Sequence, residues 1–124
     1  MSFFSFKKEE RLKSRKIIDA LFKRGESVFV FPIKLIWKEE DDTTFNTPVK
    51  VSFTVPKRAF PKAVQRNFIK RKMREAYRLN KHVFYAKAKE NQKQYAMMFI
   101  YVAREPLPYK TVEKAIVSLL ARIR

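Results

Sequence analysis

Cysteine is absent from this 124-residue chain, glycine occurs once, at Gly25, and histidine once, at His82. Without cysteine there are no disulfides, thiolate metal sites or cysteine nucleophiles. A single histidine leaves no material for a histidine metal cluster or a serine–histidine relay. A single glycine makes both GxGxxG and a Walker-type phosphate loop unwritable, and with them the nucleotide-driven enzymes. No apolar run approaches the roughly 18–20 residues of a membrane span. The chain opens MSFFSFKKEERLK, with charges where a secretory leader needs ~7–15 apolar residues, so a cytoplasmic location is expected. Acidic residues are also scarce, 12 Asp+Glu against 29 Lys+Arg, which leaves a formal net charge of +17.

What is present is a foldable chain. Hydrophobic residues make up 46% and aromatics 15%, with 12 Phe, so this is no disordered basic tail. The length suits one domain spanning residues 1–124, with residues 1–9 expected as a flexible arm. A field this positive calls for a strongly anionic partner, nucleic acid or an anionic membrane surface.

Ser14 is placed to cap a helix over 14–24, in which Ile17, Ile18, Leu21 and Phe22 form one stripe. Gly25 reads as its left-handed stop. Val28–Lys38 is strand-like, interrupted at Pro32, with Ile33, Leu35 and Trp37 pointing one way. Glu39–Thr47 reads as a solvated acidic hairpin loop rather than a cation site. Val49, Val51, Phe53 and Val55 alternate with Lys50, Ser52 and Thr54, and the natural expectation is two adjacent antiparallel strands with one polar face. A further short strand near 28–31, or in the loop, stays open. Pro56 and Pro61 bracket a basic turn, and a long helix follows from about 63 to 80, continuing in pieces to 92. The apolar run Tyr95–Ala103 suits a strand buried on both faces. Val112, Ala115, Ile116, Leu119, Leu120 and Ile123 define a last helix, with Thr111 as its expected N-cap. The order is α-β-β-(β)-α-β-α, an α+β sandwich of helices on a small sheet.

The charge is concentrated. Lys57–Lys81 carries ten Lys and Arg against one acid, Glu75, which puts net +9 in 25 residues. At 100° per residue, Arg66, Asn67, Lys70, Arg71, Arg74, Arg78 and Lys81 fall within an arc of about 140°, while Ile69, Met73, Ala76 and Tyr77 form an adjoining apolar arc. Like charges at i, i+4 repel by a few tenths of a kcal/mol per pair, a cost best offset by a polyanion lying opposite. Two competing readings are a solvated helix face and a membrane-surface helix. The single sign and the preference for Arg argue against the first, and the core's claim on the apolar arc against the second.

The stretch Arg66-Asn67-Phe68-Ile69-Lys70-Arg71-Lys72-Met73-Arg74-Glu75, preceded by Val55-Pro56-Lys57-Arg58 and Ala63-Val64, resembles the RNRxxKRxxRE helix of the bacterial ribonuclease P protein family. Arg11-Leu12, Phe22 and Gly25 also fit, and the resemblance covers about residues 10–124. It implies an α-β-β-β-α-β-α fold with a small mixed sheet and a left-handed βαβ crossover. It further implies a protein that binds the catalytic RNA of ribonuclease P and assists removal of the 5′ leader from precursor tRNA, the RNA and its Mg²⁺ ions performing the hydrolysis. Carried over by position, Arg66, Asn67, Lys70, Arg71 and Arg74 contact the catalytic RNA, with Lys57 and Arg58 in the adjoining turn; Lys62 and Arg78 complete that surface. No membrane and no small-molecule substrate enter this reading. The third motif position, usually Arg, is Phe68, which projects outside the basic arc. The turn departs from the family as well, with Phe60-Pro61 where a glycine is common.

A second surface is the family's cleft for the single-stranded leader, between the first helix and the sheet. Phe22, Lys34, Ile36, Lys50, Ser52 and Thr54 are its candidates here, combining a ring for stacking with cations for the backbone. The plainer alternative is that Phe22 belongs to the core and the polar residues are solvated strand positions. The rival functions are a ribosomal or other structured-RNA-binding protein without a processing role, and a protein-only nuclease, which would need clustered carboxylates or a histidine pair.

Overall fold

A computed structural model describes residues 6–40, 45 and 47–123. Its elements are α1 (Arg15–Arg24), β1 (Glu26–Val30), β2 (Ile33–Glu40), β3 (Val49–Thr54), α2 (Ala63–Asn80), α3 (His82–Glu90), β4 (Gln94–Tyr101) and α4 (Tyr109–Ala121), with one 3-10 turn at Lys8–Glu10 ahead of them. The sheet runs β1-β2-β4-β3, antiparallel except for the parallel β3–β4 pair. This is the expected α+β architecture with three strands before the long helix.

The interior follows from the strand patterns. β4 is apolar at almost every position and buried on both sides, so it takes a central place with helices on one face and α1 on the other. On the first face Leu35, Phe99 and Phe53 lie side by side in register, and the Phe53 and Phe99 rings stack at 5.6 Å. Against them pack Ile69, Met73, Ala76 and Tyr77 of α2, Phe84 and Ala88 of α3, and the stripe Val112, Ala115, Ile116, Leu119 and Leu120 of α4. On the second face a smaller cluster joins Leu21 of α1 to Leu12, Ile36, Phe45, Ala96 and Met98.

Three expectations are corrected. The strands at 33–40 and 49–54 are not neighbours, because β4 lies between them; the hairpin is β1–β2, turning at a cis Phe31–Pro32 bond. The acidic stretch is therefore no hairpin loop: Glu39 and Glu40 belong to β2, where Glu39 meets Lys93 at 3.1 Å and Glu40 meets Lys38 at 3.2 Å. Asp41 and Asp42 lie outside the described residues. Second, Gly25 is not left-handed, with φ −73°. Glycine is required there by space, since a Cβ would stand 2.4 Å from the Leu21 carbonyl oxygen and 2.8 Å from Ile36 Cγ2. Third, α4 begins two residues before Thr111, with Pro108 at its N-cap. The Ser14 cap holds: its Oγ accepts from the Ile17 N–H at 3.3 Å.

Of the expected arm, residues 6–9 sit against the body. The Phe6 ring meets Phe53 and Tyr77 edge-on, each at 6.1 Å. Glu10 is buried in an ion pair with Lys81, the residue that joins α2 to α3. Glu10 also accepts from the Tyr85 hydroxyl at 2.7 Å, and Tyr85 in turn meets the Tyr77 hydroxyl at 2.8 Å. The Lys81 ammonium lies over the Phe6 and Tyr85 rings. Beyond this clasp Arg11 bridges to Val51 and the Leu12 N–H donates to the Val51 carbonyl at 2.9 Å. Residues 6–14 thus form a strap along the outer edge of β3, covering backbone that an edge strand would leave unpaired.

Candidate nucleic-acid interface

The four apolar positions Ile69, Met73, Ala76 and Tyr77 turn one side of α2 into the core, so helical geometry turns the opposite side outward. Asn67, Arg71 and Arg74 are exposed there, while Arg66, Lys70 and Arg78 are half-buried at its margins. Lys57, Arg58 and Lys62 are exposed in the turn that leads from β3 into this helix. The structure therefore brings the nine expected residues onto one turn and one helix face.

They are not equivalent. The Arg66 guanidinium donates to the Phe60 and Pro61 carbonyls at 2.9 and 2.7 Å, tying the basic turn back to the first turn of α2. The guanidinium of Arg78 grips Glu75 through two hydrogen bonds of 3.0 and 2.6 Å. That grip holds the Glu75 carboxyl below the usual carboxylate range, so the one acid on the helix is matched to a neighbour. Phe68, at the third motif position, is exposed with the Lys72 ammonium 4.6 Å from its ring centre, and Lys72 also donates to the Leu107 carbonyl at 2.8 Å. This leaves Lys70, Arg71 and Arg74 as the cations of the helix face with neither a side-chain hydrogen bond nor an ion pair among the described residues.

The second face of the sheet is covered by α1 only in part. Because directly opposite residues share a face, register lines up Lys34–Ile100–Thr54, then Ile36–Met98–Ser52, then Lys38–Ala96–Lys50. Lys34 is exposed and Lys50, Ser52 and Thr54 are half-buried along the β3 side. Phe22, on α1, is 59% exposed. It is thus not a core residue. Ile36 does not line the cleft: it is 6% exposed, packed beneath α1 with Leu21 and Met98. Alternation put it on the right face, but the helix lies directly over it.

Two clefts flank the strap. One, about 340 Å³, opens between Lys13, the first turn of α1 and Lys50 of β3. The other, about 210 Å³, lies between Arg11, Ser52, Phe53 and the Lys70 and Arg74 side chains of α2. Arg11, Leu12 and Lys13 line both. Of the strap cations only Arg11 carried a signal in the sequence, through the Arg11-Leu12 resemblance; nothing local shows that the segment folds back beside α2, which brings Lys13 to both clefts and Lys8 to the first. Arg and Lys side chains on two sides of a groove offer forked and point-like donors to phosphate oxygens. Among the described residues no three His, Cys, Asp or Glu side chains gather into a metal-ligand set. No helix among them is long and apolar enough to cross a membrane.

Comparison with known proteins places this geometry. Residues 6–124 match the ribonuclease P protein family. The chain is 34% identical over 122 residues to a ribonuclease P protein component of Porphyromonas gingivalis, covering 97% of this chain and 87% of that one. A second such component, from Chlorobium phaeobacteroides, is 36% identical over 101 residues, covering 80% and 69%. Among solved structures, a ribonuclease P protein from Thermotoga maritima superposes with a TM-score of 0.73 at 25% identity, over 93% of this chain and 98% of that one. A basic helix face, a strapped sheet and an open cleft beside α1 thus occur in a chain that matches one family along nearly its whole length, and the chain belongs to the ribonuclease P protein family.

Proposed function

We propose that this chain is the protein subunit of ribonuclease P, docking on the catalytic RNA through α2 and the turn before it, and holding the single-stranded 5′ leader of precursor tRNA along the sheet face between α1 and β3. The observation that carries this reading is the strap. Arg11 and Lys13 form a shared wall between the groove facing Lys70 and Arg74 and the cleft facing Lys50. A strand leaving one RNA contact surface therefore meets the other without crossing uncharged ground. Family membership supports the pairing with ribonuclease P RNA.

In this reading the protein positions and neutralises, and the bond is cut by the RNA. In this reading Mg²⁺ is held by RNA phosphates, whose hard oxygens suit that ion. Lys70, Arg71 and Arg74 offset phosphate repulsion where the RNAs approach, and each such contact releases counterions. A cytoplasmic site of action goes with the reading. The test is reconstitution with a ribonuclease P RNA at low Mg²⁺. Precursor cleavage should be faster with the protein than without it; an unchanged rate alongside intact RNA binding would make this a general RNA-binding module instead.

A further inference from the structure

Phe29 and Phe31, at the β1–β2 hairpin tip, are 52% and 60% exposed, and their rings meet edge to face at 6.5 Å. Neither belongs to either hydrophobic cluster, so the fold does not need them as core. Phe29 is paired with Lys34, which places it on the α1 side of the sheet at the end of the row Phe29–Lys34–Ile100–Thr54. From the β3 side to the β1 edge that row presents a hydroxyl, an apolar patch, a cation and a ring. Proteins that bind unpaired nucleic acid combine these features, cations tracking the backbone and rings taking the bases.

We propose that Phe29 and Phe31 form a stacking platform for an unpaired nucleotide of the RNA strand that crosses this face, with Lys34 holding the adjacent phosphate. The proposal rests on the leader path argued above and extends it to the opposite edge of the sheet. A rival occupant is a protein strand adding to β1, which among the described residues pairs on one side alone, with β2. The neighbouring Lys34, the exposed Lys23 and Arg24 at the end of α1, and the +17 of the chain favour a polyanion.

The experiment uses the holoenzyme and precursor tRNAs whose leaders are graded in length and carry 2-aminopurine at successive positions. Replacing both rings, F29A with F31A, should weaken binding of long-leader precursors by roughly 5- to 150-fold, the range of one lost base–aromatic stack. Precursors with leaders too short to reach the β1 edge should be unaffected. One probe position should be quenched by the parent protein and recover its fluorescence with the double variant. Because both rings are exposed, the variants should fold; F29W with F31W should keep the affinity, and F29L with F31L should lose it as alanine does. Full affinity in the alanine or the leucine pair would overturn the platform. So would an unchanged RNA affinity accompanied by loss of concentration-dependent self-association, which would make the patch a protein interface. Indifference of the parent protein to leader length would overturn the leader path itself, whereas normal length dependence in the alanine pair would overturn the platform alone.

Discussion

Arg66 and Arg74 lie two helical turns apart on one face of α2 and share a sequence motif, yet their surroundings assign them different work. Arg74 is exposed and lines the groove beside the strap, while Arg66 spends its guanidinium on two turn carbonyls. Arg74→Ala should weaken RNA binding and lower the salt slope by roughly 0.7–0.9, as for one phosphate contact, with little change in stability. Arg66→Ala should also lower the melting temperature, because the Phe60 and Pro61 carbonyls lose a charged donor. Salt titrations and thermal melts of the two variants separate these outcomes; equal melts would mean that the carbonyl contacts hold nothing. Lys81 is a sharper case, a buried ammonium on Glu10 at the joint between two helices. Lys81→Ala should cost about 3–5 kcal/mol by stranding the Glu10 carboxylate, and the joint replacement Glu10→Leu with Lys81→Met should recover much of it. Urea unfolding measures both, and a mild effect of the single variant would show the pair to be hydrated.

At the scale of elements, the junction between α1 and β1 depends on one glycine. Helix stop signals in a sequence suggest a left-handed residue, which asparagine tolerates. The observed constraint is different: φ is ordinary, but the Leu21 carbonyl and Ile36 crowd the position. Gly25→Ala should therefore destabilise by about 1–3 kcal/mol, and Gly25→Asn by at least as much. A tolerated asparagine in denaturant unfolding would restore the left-handed account. The same close approach seats α1 over Ile36 while leaving the β3 side of that face open, so a packing constraint shapes the cleft. Sheet order has a comparable origin. A strand with a polar face can stand at an edge or under partial cover, whereas the unbroken apolar β4 needs cover on both sides, so it separates β2 from β3.

Across the whole molecule, a strongly basic chain is held together by a core whose polar members are few and matched. Burial pushes the Tyr77 and Tyr85 hydroxyls well above the ordinary tyrosine value of 10.0. With the folded value raised, both states keep these protons below pH 10, and the stabilisation is intact there. Above it the unfolded chain releases them and the folded chain does not, so stability falls as pH rises. Urea midpoints between about pH 8 and 11 should decline less steeply for Tyr85→Phe than for the parent; parallel curves would mean that Tyr85 ionises freely in the fold.

The chain alone determined whatever depends on neighbours along it: the helix face of α2, the Ser14 cap, the buried run of β4 and the placement of charge on one turn and one arc. Periodicity is a local property, and a motif ten residues long carries its own chemistry. Tertiary structure decided what depends on residues far apart. It put β4 between β2 and β3, covered Ile36 while leaving Phe22 in solvent, clasped Glu10 to Lys81 across 71 positions, and swung Arg11 and Lys13 to face Lys70 and Arg74. Alternation along a strand tells which side a residue faces. What lies over that side is set by the packing of other elements, and only the folded chain supplies it.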